Sequence, residues 1–232
     1  NQDITLGKTL IVTNEEHRFL ALDQLRELKN VDATLLLEPA GRNTAPALTL
    51  AALYAQEQGN DPILVVTPAD QTVTDVNAFK IALTKAIAIA QQNAVAILGI
   101  TPISPETGYG YIKTKNAQDA QDGQYVVDRF VEKPDAQTAK QYLEEGGYFW
   151  NGGMFVLKAS TWLAALKEFR PDILSATDKQ LSIAAGVVPQ SSCNLRPIAP
   201  ARICSSKGKG RLTLPLPRKP RFIGKASAVD NI

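Results

Sequence analysis

An α/β fold with a mixed, mainly parallel sheet is what this sequence predicts, and three observations predict it. Strand-like and helix-like runs alternate through the first 170 residues, the pattern of a sheet covered by helices. The strand-like runs are short and continuously apolar, as in Leu35-Leu36-Leu37 and Ile63-Leu64-Val65-Val66, which suits strands buried on both faces. Gly41, Pro68, Asp75 and Asp135 punctuate the runs as turn and cap residues should.

Taken in order, Thr9–Thr13 reads as a buried strand and Glu15–Lys29 as a helix with Phe19, Leu22, Leu25 and Leu28 on roughly one face. Ala33–Leu37 is strand and Thr44–Gln58, rich in small residues, is helix. Pro62–Thr67 is a β-rich run that stops at Pro68, as a central strand would. Asp75 caps a helix in which Phe79, Leu83, Ala86, Ile87 and Ala90 keep helical spacing, and Val95–Ile100 is strand again. Beyond Thr101, Tyr109–Lys113 and Tyr125–Glu132 read as extended, Asp135–Gly146 as a capped helix ending in Gly, Gly153–Leu157 as strand and Ser160–Phe169 as helix. Ligands of such folds bind beyond the carboxyl ends of the strands.

The chain has 232 residues, 44% of them apolar and 21% charged, enough for a sizeable core. No run approaches the ~20 apolar residues of a membrane span, and Asn1-Gln2-Asp3-Ile4 does not begin a signal peptide. The net charge of +2 is unevenly placed: residues 1–186 hold 16 Lys/Arg against 22 Asp/Glu, and 187–232 hold 9 against Asp230 alone. Both cysteines, Cys193 and Cys204, lie in the basic part, so no disulfide framework is expected and a cytoplasmic setting is. From Val187 onward six prolines and scattered basic residues leave little that could pack. The expectation is a body over 1–186 and a basic, Pro-rich, disordered tail over 187–232. A nucleic-acid arm would need aromatic residues among the charges, and Phe222 stands alone, so no nucleic-acid partner and no membrane is expected.

Five stretches could do chemistry. Glu38-Pro39-Ala40-Gly41-Arg42-Asn43-Thr44-Ala45-Pro46 lies where a strand turns into a helix, whose first N–H groups favour anions. Glu38 accepts hydrogen bonds, while Arg42 and Asn43 donate in fixed planes, which suits a base or phosphate. The plainer reading is a loop with Thr44 as N-cap and Pro46 in the first turn. Asp70 of Pro68-Ala69-Asp70 follows a strand, well placed for a hard cation, or is a cap or turn residue. Glu106-Thr107-Gly108-Tyr109-Gly110-Tyr111 lets backbone approach a ligand closely, or is a hairpin turn. Phe130-Val131-Glu132-Lys133-Pro134 ends a strand with opposite charges, a surface pair at the least. Trp150-Asn151-Gly152-Gly153-Met154 suits hydroxyl recognition, or an ordinary turn.

In this order and spacing the five stretches resemble the sugar-1-phosphate nucleotidyltransferases, and within them the bacterial mannose-1-phosphate guanylyltransferases. Asn14-Glu15-Glu16-His17-Arg18-Phe19 fits the same group, and the likeness covers roughly residues 8–175. Glu-Pro-x-Gly-Arg-Asn-Thr-Ala-Pro is its specific motif. The resemblance implies a GT-A-like, Rossmann-like sandwich of the nucleotide-diphospho-sugar transferase type. It also implies a reaction, GTP plus mannose 1-phosphate giving GDP-mannose plus pyrophosphate, in the supply of surface polysaccharide. By the same resemblance Glu38, Arg42, Asn43, Thr44 and Ala45 bind the nucleotide, and Gly110, Glu132, Lys133, Asn151 and Gly152 surround the mannose. Asp70 and Lys133 are then the catalytic residues, with Asp70 the ligand of Mg²⁺, and a homo-oligomer is compatible with the family. His17, the sole histidine, has no proton to move in this scheme and is expected to be structural.

The sequence departs from the family in three places. A Gly-Gly-x-Gly-Thr-Arg-Leu loop is expected ahead of Asn1, and an Asp-Tyr-x-x-x-Glu-Lys segment with a second metal carboxylate beyond residue 190; the 232 residues contain neither. Gln71 stands where the family usually has His. The expectation is an N-terminally truncated domain, 1–186, with impaired turnover and an unrelated tail. Its rivals are an inactive module that binds GDP-mannose or guanine, a gene fragment without function, and a transferase for another base or hexose 1-phosphate.

Overall fold

The computed structural model describes residues 6–28, 32–38, 41, 43–59, 61–115, 123–184, 195–196 and 224–229. They form two compact units, the first from Asn1–Asp61 and Trp162–Pro215, the second from Pro62–Thr161 and Leu216–Ile232. Of residues 187–232, expected to form a disordered tail, only Leu195–Arg196 and Gly224–Val229 are described, and both are strands.

In the first unit, β1 (Thr9–Asn14) pairs in parallel with β2 (Ala33–Glu38), which pairs in parallel with β8 (Leu195–Arg196). β2 is therefore central, and Thr34, Leu35, Leu36 and Leu37 are all buried, which is why the run is continuously apolar rather than alternating. Helix α2 (Thr44–Glu57) lays Leu50 and Tyr54 on Leu36. Its cap is Asn43, so the cap expected at Thr44 moves back one residue. Residues 15–29, expected as one helix, are a 3-10 turn, Glu15–His17, held by Asn14 Oδ1 accepting from the His17 N–H at 3.0 Å, followed by α1 (Arg18–Glu27). Leu22 and Leu25 are half-buried but Phe19 and Leu28 are exposed. Among the described residues β1 pairs with β2 alone, and an edge strand cannot cover the whole apolar face of α1.

α5 (Ala159–Phe169) is followed at once by α6 (Pro171–Ala184), which the sequence reading left without an element. Pro171 opens α6, where its missing N–H costs nothing. Arg170 clamps Asp172 through two bonds, 2.8 and 2.7 Å.

The second unit is built on a six-stranded sheet in the order β3 (Ile63–Val66), β7 (Tyr148–Lys158), β4 (Val95–Ile100), β9 (Gly224–Val229), β6 (Gln124–Val131), β5 (Tyr111–Thr114). β3 and β4 run the same way, as expected, but β7 lies between them and antiparallel to both. Strand–helix alternation places β3 and β4 in one sheet; it does not show that a strand from fifty residues later separates them. The first sheet is parallel in its described pairs, and the second is mixed, with β4–β9 parallel and its other pairs antiparallel.

Helix α3 (Val76–Gln91) is capped by Asp75 Oδ1, which accepts from the Asn77 and Ala78 N–H groups. Its Ala82, Ala86 and Ala90 let it settle closely on Ala96, Leu98, Met154 and Val156. Helix α4 (Ala136–Glu145), capped by Asp135 and ended by Gly146 at φ +67°, packs Ala139 among Tyr111, Tyr148 and Trp150. No helix among the described residues is long and apolar enough to cross a membrane.

Candidate active site

In the first unit Glu38 is the last residue of β2, in register with Asn14. Burial raises its carboxyl above the ordinary value of 4.5, so the charged form is held at an energetic penalty. Arg42 lies outside the described residues. Asn43 has φ +67° and ψ −172°, a backbone region open essentially to Gly, and its side chain makes no capping bond to α2. An Asn at an N-cap ordinarily caps; this one, held in a strained backbone conformation, does not. Thr44 is exposed as the first helical residue. The carbonyl of half-buried Ala45 accepts from Thr49 Oγ1 at 2.7 Å, and Thr49 Oγ1 in turn accepts from Trp162 Nε1 at 3.0 Å. That part-buried relay ties the first turn of α2 to α5.

In the second unit the structure brings four sequence-distant stretches together. Gly110 is buried, and a Cβ there would lie 2.6 Å from Phe130 Cζ and 3.2 Å from Glu132 Oε2. The tip of the Phe130 ring and the Glu132 carboxylate thus lie against Gly110. The Gly110 carbonyl accepts from the Asn151 N–H at 2.7 Å. Asn151 Oδ1 accepts from the Gly153 N–H at 3.1 Å, which assigns the amide orientation and leaves its NH₂ as the outward donor. Gln71 Nε2 donates to the Gly152 carbonyl at 2.8 Å, across 81 residues. Lys133 follows β6 at φ +42° with its Nζ 3.8 Å from Glu132 Oε1, both side chains well exposed. Such a pair adds little stability and leaves both charges accessible.

The Trp150–Met154 stretch, for which an ordinary turn is one of two readings, lies inside β7 and carries a bulge. Leu98 pairs with Met154 but Gly99 with Asn151, so Gly152 and Gly153 have no partner in β4. Gly153 sits at φ +69° with Pro68 Cγ 3.1 Å from its Cβ position, so a side chain would be both strained and crowded. A Gly pair inside a strand run is a bulge signal. The Glu106–Tyr111 stretch is a loop leading into β5, fastened where Tyr111 Oη donates to the Glu106 carbonyl at 2.9 Å. Tyr109 meets the Trp150 ring edge-on at 5.2 Å. His17 has no place in either set; its backbone closes the 3-10 turn.

Asp70 is exposed in the turn that leaves β3, next to the anchored Gln71. Among the described residues no group of three or more His, Cys, Asp or Glu converges. A single hard carboxylate still fits Mg²⁺, which keeps several waters and takes its remaining oxygens from substrate phosphates. Sequence reasoning missed Gln71 and Phe130 as parts of this site. Phe130 stands in a candidate stretch and Gln71 in a departure from the family, but their roles depend on partners on the neighbouring strand and 81 residues away.

A family model described as nucleotidyl transferase matches residues 4–188. The xanthan biosynthesis protein XanB of Xanthomonas campestris pv. campestris is 49% identical over 170 residues, 73% of this chain and 36% of that protein. A mannose-1-phosphate guanylyltransferase of Escherichia coli is 45% identical over 182 residues, 78% of this chain and 39% of the relative. Among solved structures, a mannose-6-phosphate isomerase from Helicobacter pylori superposes with TM-score 0.67 at 37% identity, covering 76% of this chain and 65% of that one. A protein from Thermus thermophilus described as a mannose-1-phosphate geranyltransferase gives TM-score 0.69 at 25% identity, covering 97% and 59%. The chain spans only 36–39% of the length of these curated relatives.

Proposed function

Since the chain belongs to the nucleotidyl transferase family, we propose that it serves guanylyl transfer from GTP to mannose 1-phosphate, giving GDP-mannose and pyrophosphate. The observation that carries this reading is the convergence in the second unit of Gly110, Glu132, Asn151, Gly152 and the Asp70 turn. Acceptors on Glu132 and the donor NH₂ of Asn151 are what a ring of hydroxyls requires. Gly110 and Gly152 stand where a Cβ would press on Phe130 and on Ile100, so that no side chain of their own intrudes beside these groups.

The chemistry is displacement at the α-phosphorus: a phosphate oxygen of the sugar attacks and pyrophosphate leaves in line. Positioning and charge neutralisation do most of such work. Glu132, Asn151, Gly110 and Gly152 orient the sugar, and Lys133 supplies positive charge to the phosphates. Asp70 would hold Mg²⁺, which when bound neutralises phosphate charge and orients the oxygens. Glu38, Arg42 and Asn43, with Thr44 and Ala45 beside them, face the guanine. The side chain of Asn43, which does not cap α2, supports that role, as does the carboxylate of Glu38 kept at a desolvation penalty.

Calorimetric titration of residues 1–232 with GTP, UTP and mannose 1-phosphate in Mg²⁺ tests it. Asn43→Ala is expected to lower the preference for GTP over UTP about tenfold, since a hydrogen bond to a base edge that the wrong base cannot make is worth roughly 0.5–1.5 kcal/mol. Asn151→Ala is expected to weaken mannose 1-phosphate and leave base choice alone. An unchanged GTP:UTP ratio in Asn43→Ala would remove the guanine assignment. Pyrophosphate release above a no-protein control separates a transferase from a module that binds without turnover.

A further inference from the structure

The Gly152 carbonyl belongs to a residue bulged out of β7 and buried, so the ladder with β4 gives it no partner. Bulged residues lose their ladder bonds, and a buried carbonyl left unpaired is unfavourable. The side chain of Gln71 supplies the donor, at 2.8 Å. On the opposite side Gly152 is walled in: its Cβ position lies 3.2 Å from Ile100 Cδ1 and 3.4 Å from the Leu98 carbonyl. One residue further on, Pro68 closes against Gly153 at 3.1 Å. The bulge is therefore gripped from the Pro68–Gln71 turn at two consecutive residues, by a ring contact and by a hydrogen bond.

Both ends of that grip carry candidate site residues. Asp70 immediately precedes Gln71 in the turn, and Asn151 immediately precedes Gly152 in the bulge. Asn151 is itself fixed on two further sides, by Gly110 through its backbone N–H and by Gly153 through its Oδ1. Among the described residues the Gln71 side chain is what hydrogen-bonds the turn to the bulge.

We propose that Gln71 is a positioning residue for sugar-phosphate binding: through the Gly152 carbonyl it holds the Asn151 amide in fixed register with the Asp70 carboxylate. The sugar ring and its phosphate then meet groups whose separation is set before binding, which lowers the ordering that binding would otherwise require. This rests on the function proposed above. It extends that function to a residue that touches neither substrate and works at a junction of two elements. Because an amide does not titrate, the junction stays intact across the pH range in which a neighbouring phosphate changes charge.

The test uses the whole 232-residue chain, with GTP and mannose 1-phosphate titrated separately in Mg²⁺ against Gln71→Ala, Gln71→Glu and Gln71→His. Gln71→Ala is expected to raise the Kd for mannose 1-phosphate about three- to tenfold, the worth of one net hydrogen bond, and to change the Kd for GTP less than twofold. Gln71→Glu keeps the length but sets an acceptor against an acceptor; it should match Ala at pH 8 and recover sugar-phosphate affinity as the pH falls towards the carboxyl's range. Gln71→His keeps an N–H donor of similar reach and should restore most of the affinity. Amide exchange at 151–153 should quicken in Gln71→Ala and return in Gln71→His. If the parent chain binds mannose 1-phosphate and Gln71→Ala binds it equally well, or weakens both ligands alike, the positioning role is wrong and the proposed function stands. If the parent chain binds no mannose 1-phosphate, the proposed function falls and the positioning role with it.

Discussion

The relay from Trp162 through Thr49 to Ala45 makes a quantitative claim about the first unit. Thr49 is wholly buried, and its Oγ1 both donates to the Ala45 carbonyl and accepts from Trp162 Nε1. Thr49→Val keeps the shape but removes the oxygen, which orphans a partly buried indole N–H. The cost is that of an unsatisfied buried donor, about 1–3 kcal/mol. Trp162→Phe removes the donor instead, and the hydroxyl keeps its bond to Ala45; the lost hydrogen bond is worth about 0.5–1.5 kcal/mol, plus the indole's packing. Once Trp162 is Phe, Thr49→Val no longer orphans anything. The double variant should therefore be more stable than the sum of the singles by about 1 kcal/mol, beyond the ~0.3–0.5 kcal/mol scatter of independent sites. Urea unfolding followed by circular dichroism measures the cycle, and amide exchange along α2 assigns it to the unit that holds that helix. Strict additivity, or a Thr49→Val variant as stable as the parent, would refute the relay as an energetic unit.

Three further outcomes are expected. Glu38→Gln should stabilise the protein at pH 7–8, because the raised folded-state pKa means the parent loses stability as pH rises from about 4.5 through the raised value; the difference should vanish below pH 4 in thermal melts, while GTP affinity falls. Gly99→Ala sets its Cβ 2.8 Å from the Phe149 Cβ, an atom anchored to the backbone, so a loss of about 1–3 kcal/mol is expected in urea unfolding. Gly110→Ala meets only the tip of the Phe130 ring and the Glu132 carboxylate, both able to swing outward. Its stability should change less than that of Gly99→Ala, and its affinity for mannose 1-phosphate should fall about tenfold or more, read by calorimetry.

The sequence by itself determined the α/β class, nearly every element's place and the family. Each of these rests on short-range signals: continuous apolar runs at Leu35–Leu37 and Ile63–Val66, caps at Asp75 and Asp135, and a turn motif from Glu38 to Pro46. It named Gly110, Glu132, Asn151 and Gly152 as separate stretches without showing how they meet. Only the tertiary structure decided that β7 runs antiparallel between β3 and β4, which carries Asn151 and Gly152 to the end of β3. It likewise made the Gly152–Gly153 pair a bulge inside β7, left half of α1's apolar face in solvent and gave Gln71 a partner. The physical reason is range. Helix periodicity, capping and turn chemistry act within a few residues, whereas strand order and a hydrogen bond across 81 residues depend on which surfaces find each other once the elements exist.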